Sequence, residues 1–187
     1  NGTLLDEDWC EFLARNRFLV GLSLDGPEAV HDAYRVDREG QGTSARVLKA
    51  FQTMQKHGVQ VNVLVAVNNA NSTQPLEVYR FLRQQGVQFI QFIPIVEGEA
   101  DPEAKALGIP LALPPSLNRA EHSTTVTSWS VELKQYGEFL IRISDEWIRN
   151  DVAKVFVMNF EWTLAARARV VPAVCYLAPR FGRTLIM

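Results

Sequence analysis

With 187 residues, 47% of them hydrophobic and 21% charged, the chain has the composition of a soluble globular domain and ample length for a core. A net charge of -2 gives no basic footprint for nucleic acid or anionic lipid, and no apolar run approaches the roughly 18 residues of a membrane helix. The two cysteines, Cys10 and Cys175, lie far apart and outside any CxxC or Cys/His cluster. This argues against a disulfide framework and fits a reducing, cytoplasmic setting.

No signal peptide is visible at the start, Asn1-Gly2-Thr3. The chain closes on "GRTLIM", which reads as the start of a strand, and the two ends together read as those of a piece of a longer protein or of a trimmed chain. From Asp6 to Arg15 the spacing predicts a helix with Trp9, Phe12 and Leu13 on one face and acidic residues in its first turn, where they suit the helix dipole. A strand follows over Phe18–Asp25. A helix over Ser44–His57 carries Val47, Leu48, Phe51 and Met54 at helical spacing and stops at Gly58, with His57 as its C-terminal cap. Val59–Val67 is a valine-rich strand, Leu76–Gln85 a helix stopped by Gly86, and Val87–Val96 a third, nearly continuous apolar strand.

This strand–helix alternation is the signature of an α/β fold with parallel strands and outer helices. By itself it leaves open whether the sheet closes into a barrel. From Gly98 to Ser130 the pattern fails in a Pro-, Ser- and Thr-rich stretch, and a loop of that length is usually functional or mobile. Order returns with an amphipathic helix over Gln135–Ile148, a strand "VFVMNF" over Val155–Phe160 and a helix around Trp162–Arg169. The organisation expected is residues 1–97 as barrel units, 98–130 as an irregular loop, 131–169 as a last helix and strand, and 170–187 as the start of a further region.

The two-residue period of a strand puts Phe18, Val20, Leu22 and Leu24 on one face and Leu19, Gly21, Ser23 and Asp25 on the other. In the next strand Val61, Val63, Val65 and Val67 oppose Gln60, Asn62, Leu64 and Ala66. The greasy faces should meet helices. The other faces should line a barrel interior or a crevice, and ligands of parallel α/β folds sit at the carboxyl ends of strands, where Ser23 and Asp25 lie. Asp25-Gly26-Pro27 is equally readable as a simple turn. "GLSLD" is no nucleophile elbow, because Asp25 takes the final glycine position and no histidine is placed as a base. Asn62 is an amide in a valine strand and needs partners there, and Gln91 raises the same question. His31 and Asp32 do not amount to a metal site.

The stretches "GLSLDGPEAVHDAYR", "HGVQVNVLVAVN", "VYRFLRQQGVQFIQFIPIVEG" and "QYGEFLIRISDEWIRNDVAKVFVMNF" together resemble the middle of an anaerobic sulfatase-maturating enzyme, a radical S-adenosylmethionine (SAM) protein with a C-terminal SPASM region. Ser23-Leu24-Asp25-Gly26-Pro27 followed by His31-Asp32 and Arg35 carries most of it. The resemblance implies a fragment of a partial (β/α)6 barrel. It also implies a [4Fe–4S] cluster on a CxxxCxxC loop, and SAM cleaved to a 5′-deoxyadenosyl radical that oxidises a sulfatase cysteine or serine to formylglycine. Implied partners are the sulfatase or another peptide substrate and a flavodoxin or ferredoxin as reductant.

Carried over by position, Ser23 matches a SAM-contacting serine and Val96 a position near the adenine. Asp25 is a local support of the SAM site, and Asn62 is an interior candidate for cofactor or substrate. Cys175 matches an auxiliary-cluster ligand, whereas Phe181 stands where the next such cysteine is expected. The cluster loop is absent and the expected base lies beyond Met187, so this chain alone is expected to be inactive, with its exposed sheet edge prone to association. The alternatives are a degenerate, non-catalytic binding remnant and another SPASM-type peptide modifier.

Overall fold

The computed structural model describes residues 1–100, 102–109, 111 and 126–170. In chain order the elements are α1 (Glu7–Arg15), β1 (Leu19–Ser23), α2 (Glu28–His31), α3 (Ser44–Lys56), β2 (Gln60–Val67) and α4 (Pro75–Gln84). They continue with β3 (Phe89–Pro94), α5 (Pro102–Ala106), α6 (Leu133–Asn150), β4 (Phe156–Val157) and α7 (Met158–Arg167). The four strands form one parallel sheet in the order β1-β2-β3-β4. Each strand lies beside its predecessor, as in the wall of a barrel. A doubly wound sheet would reverse its order part-way.

The expected two-faced strands are present. In β2 burial alternates residue by residue, with Val61, Val63, Val65 and Val67 buried against the helices. Leu22 and Leu24 of the first strand region join them, as do Ile90 and Phe92 of β3. From the helix side come Val47, Phe51 and Met54 of α3, Val78 and Leu82 of α4, and Phe139, Ile143 and Trp147 of α6. Each such side chain contributes about 1.5–3 kcal/mol on burial, so this layer holds the sheet to its helices. At the margin of this core, the buried Tyr79 of α4 donates to Asp151 at 2.8 Å and Arg83 donates to the same carboxylate at 3.0 Å, which ties α4 to the end of α6.

The helix-to-strand joins that lead into β1, β2 and β3 share one construction. After α3, Gly58 takes φ +70°, its N–H donates to Gln55 O, and Val59 N donates to Met54 O. After α4, Gly86 (φ +79°) and Val87 repeat both bonds to Arg83 O and Leu82 O. This is the Schellman stop, and its apolar residue lies one or two positions ahead of the next strand. The join between α1 and β1 is identical except that Arg17, at φ +56°, stands where the others use glycine.

Four expectations are corrected. "VFVMNF" is a strand only over Phe156–Val157, and α7 starts at Met158, ahead of the expected Trp162. Asn159 explains the early end: its side chain accepts from Phe92 N at 2.9 Å and donates to Phe92 O at 3.1 Å, taking the place of the next ladder residue while the backbone coils. The 98–130 stretch is not wholly irregular. It holds α5, started by Pro102 and ended by Gly108 at φ +70°, and antiparallel bridges Gly98–Val126 and Glu99–Leu111. The expected face of α1 does carry Trp9 and Phe12, half exposed in an edge-to-face pair, while Cys10 is the buried residue of the helix. The short α2, absent from the expected order, lies in the β1–α3 connection.

The outer edge of β1 has no strand partner among the described residues, and Leu19 there is exposed. Cys175, Phe181 and the expected region from residue 171 onward lie outside the described residues.

The shared joins make a stability test. Arg17→Gly should raise stability by about 1 kcal/mol, because glycine removes the left-handed strain. Gly58→Ala, where an added Cβ meets nothing within 4 Å, should lower it by about the same amount through the backbone alone. Urea unfolding midpoints check both.

Candidate functional site

The carboxyl ends of β1, β2 and β3 are where the polar groups gather. β1 ends at Ser23, and Leu24 N still donates to Leu64 O at 3.2 Å. At the next position the Asp25 side chain takes over the ladder: Oδ1 accepts from Ala66 N at 2.8 Å. Asp25 is 2% exposed, and its carboxylate also receives Arg35 as a fork, Nε to Oδ2 at 2.5 Å and Nη2 to Oδ1 at 3.1 Å. Asp25 thus does more than close a local turn. Its carboxylate joins two strands and a returning loop.

That loop is held by a second set of bonds. Asp32 accepts from the N–H groups of Thr43 and Ser44, each at 2.9 Å, and from the Ser44 hydroxyl at 3.0 Å, capping α3 from outside. Gly42 is required here, since an added Cβ would fall 2.1 Å from Asp32 Oδ2. His31 is fully buried. Its Nδ1 accepts from Asp25 N at 3.2 Å, so Nε2 carries the proton and donates to Thr43 Oγ1 at 3.2 Å; that hydroxyl in turn donates to Arg35 O at 2.9 Å. Burial pushes the His31 pKa down, the attraction of Asp25 opposing it. His31 and Asp32 are therefore the frame that returns Arg35 to Asp25.

The ends of β2 and β3 are closed in the same manner. Asn71, fully buried, donates to Ala66 O at 2.8 Å and accepts from Asn68 N at 2.9 Å. Beyond β3, Ile95 N donates to Val67 O and Val131 N to Ile95 O, both at 2.9 Å, and the Ser130 hydroxyl accepts from Glu97 N at 2.9 Å. Trp129 Nε1 donates to Glu97 at 2.5 Å. The Tyr34 hydroxyl donates to Asn69 Oδ1 at 2.7 Å, linking the β1 loop to the β2 loop.

Two cavities lie along this edge. One, of about 550 Å³, is lined by Ser23, Tyr34, Arg35, Thr43 and the N-terminal residues Asn1 and Leu4, among others. The other, of about 310 Å³, is lined by Asp25, Tyr34, Arg35, Ala66, Asn68, Ile95, Glu97 and Trp129. Tyr34 and Arg35 belong to both.

The structure brings Ser23 and Asp25 to this edge and places Val96, 61% exposed, between the cavity residues Ile95 and Glu97. It does not bring Asn62 there. Asn62 pairs with Gly21, one same-face step below the Ser23–Leu64–Gln91 row, and lines neither cavity. Arg35 and Tyr34 are the residues that period and spacing missed. Arg35 belongs to the motif that carries the family resemblance, but only the loop's return shows its guanidinium forked on Asp25 and lining the cavity that Ser23 also lines.

The described residues do not fit an iron–sulfur cluster. No group of three or more His, Cys, Asp or Glu among them could hold a metal, and Cys10 is buried in α1 with its thiol pKa raised by that burial. No helix among them is long and apolar enough to cross a membrane.

Fold and site define a piece of a parallel (β/α) barrel with a polar, cavity-lined edge at the carboxyl ends of its strands. Over its whole length the chain is 38% identical to a serine-type anaerobic sulfatase-maturating enzyme of Bacteroides thetaiotaomicron, covering 44% of that protein. Over 157 residues, 84% of the chain, it is 31% identical to a cysteine-type enzyme of Clostridium novyi, covering 36% of it. Among solved structures, 94% of the chain matches native anSMEcpe with bound AdoMet (S-adenosylmethionine; TM-score 0.73, 28% identity) and 42% of that chain is covered. The same protein with bound AdoMet and Cp18Cys peptide matches with TM-score 0.76 and 27% identity, 44% of it covered. No protein-family model matches. The chain belongs to the anaerobic sulfatase-maturating enzymes, radical SAM proteins, and spans less than half the length of these relatives.

The buried neutral His31 gives a pH prediction. With its pKa below the ordinary 6.5, the folded state resists a proton that the unfolded chain accepts. Stability is therefore full above about pH 6.5 and falls as pH drops below it toward the folded pKa. Melting temperatures measured from pH 7.5 to 5 should show this step, and it should be missing in a His31→Gln variant.

Proposed function

We propose that, within its full-length protein, this chain supplies the AdoMet-binding edge of a radical enzyme that oxidises a sulfatase cysteine or serine to formylglycine. The observation that supports this reading most is Arg35, held at the strand ends by Asp25 and lining both cavities, one of which Ser23 also lines. AdoMet carries a carboxylate, an ammonium, ribose hydroxyls and a flat apolar base. A guanidinium matches the carboxylate or the ribose oxygens. The Ser23 hydroxyl can donate or accept at the polar end, and the exposed Val96 offers apolar surface to the base. When bound, the cofactor supplies a hydrogen-abstracting carbon radical.

The chain's own residues bind and orient. Asp25 and Asn71 close the strand ends so that the backbone there does not compete for the ligand. Tyr34 and Trp129 wall the cavity. Asn62 lies in the layer beneath and would act from the barrel interior. Asp25, Ser23, Val96 and Asn62 are thus assigned graded distances from the ligand, with Ser23 and Arg35 nearest. The radical-generating cluster, the reductant contact and the base are assigned to other parts of the full-length protein, and Cys175 of this chain keeps the auxiliary-cluster role that the resemblance implies.

The reading is tested on the full-length protein, reconstituted anaerobically, by equilibrium dialysis with AdoMet. Ser23→Ala should weaken binding by about 1–2 kcal/mol, the worth of one hydrogen bond near a charged group. Unchanged affinity would remove Ser23 from the site. Mass spectrometry of a sulfatase-derived peptide should show formylglycine formed by the parent protein. Intact peptide under conditions where AdoMet is reductively cleaved would reject the substrate class.

A further inference from the structure

We infer that Asp25 is a positioning residue: it takes no part in ligand contact and instead fixes the Arg35 guanidinium at the strand ends, in a wall shared by both cavities. This rests on the reading of that edge as an AdoMet site. Three observations converge. The Asp25 carboxylate is almost wholly buried, and its two oxygens already accept three hydrogen bonds, from Ala66 N at 2.8 Å and from Arg35 at 2.5 and 3.1 Å. The Arg35 guanidinium has five N–H donors; Nε and one of Nη2 are engaged with Asp25, and Nη1 has no partner among the described residues. The Arg35 backbone is fixed as well, its N–H donating to His31 O at 3.1 Å and its carbonyl accepting from Thr43 N at 3.2 Å and Thr43 Oγ1 at 2.9 Å.

An arginine on a loop ordinarily loses much rotamer freedom when it grips a ligand. The fork on Asp25 removes that freedom beforehand and in one plane, so the outward donors meet the ligand already aligned. The Ala66 bond matters equally. It makes the position of the carboxylate a property of the β1–β2 pair, so the guanidinium is referenced to the sheet and not to its own loop.

A double-mutant cycle on the full-length reconstituted protein tests this, with AdoMet affinity and melting temperature both read. Arg35→Ala should raise the AdoMet Kd about tenfold or more, as expected for a lost charged hydrogen bond. Asp25→Asn can still accept from Ala66 N but turns an amide toward the guanidinium. It should raise Kd to a similar degree. Added to Arg35→Ala, it should change Kd by less than about twofold.

Full additivity of the two effects on Kd would overturn the positioning role. So would an Asp25→Asn protein that melts lower yet binds AdoMet as the parent does, the behaviour of a purely structural carboxylate. Unchanged Kd in Arg35→Ala would overturn the placing of AdoMet at Arg35, and this proposal with it. Should Asp25→Asn not fold, Asp25→Glu serves, since it keeps the charge and displaces the fork. Lower affinity in folded protein supports the proposal, and parental affinity overturns it.

Discussion

Parallel strands that stop along a common line leave a row of backbone N–H and C=O groups with no ladder partner, and in a buried setting each must be satisfied. The architecture follows from how this chain meets that demand. Asp25 takes the N–H of Ala66, Asn71 takes its carbonyl, Ser130 takes the N–H of Glu97, and Asn159 takes both groups of Phe92. Side chains of four different loops or helix starts continue the sheet for one more position. Because they are side chains, each can end a strand without a bend in the next one.

The same substitution generates the site's electrostatics. A backbone carbonyl at the Asp25 position would satisfy Ala66 but attract nothing else. A carboxylate satisfies Ala66 and brings an unneutralised charge into a buried place, which must then be matched. Arg35 is the match, and it can reach only because Asp32, His31 and Thr43 fold the intervening loop back on itself. The chain of cause runs from one backbone group, through a buried charge, to a cation at the rim of two cavities.

Much of this was legible in the residues. The period of two in β1 and β2 separates greasy from polar faces correctly, and the glycines after α3 and α4 mark the joins. Ser23 and Asp25 could be placed at a strand end without a structure. What could not be read is whatever depends on a loop's return path. Arg35 is ten positions from Asp25 with a helical turn between, and no periodicity connects them. Asn159 looked like a strand residue because it does the work of one, with its side chain in place of its backbone. Trp9 and Phe12 share a helical face, as spacing said, but spacing does not say which face a neighbour covers. For Asn62 the period of two gives the facing but not the height in the barrel, one row below the strand ends.

The joins at the two ends of the strands differ in a way that bears on how such a protein can change. At the amino ends of β1, β2 and β3, helix and strand are separated only by residues 16–18, 57–59 and 85–88, each nearly consumed by a Schellman stop. At the carboxyl ends the connections run through residues 24–43, 68–74 and 95–132. An insertion in the first set would shift a strand by a residue and turn its greasy face outward. In the second set it lengthens a loop whose anchor points, Asp25, Asn71 and Ser130, stay put. Heritable variation is therefore channelled to one rim. The loops of that rim can be rebuilt in descendants of this sequence while the opposite rim keeps the register of the sheet.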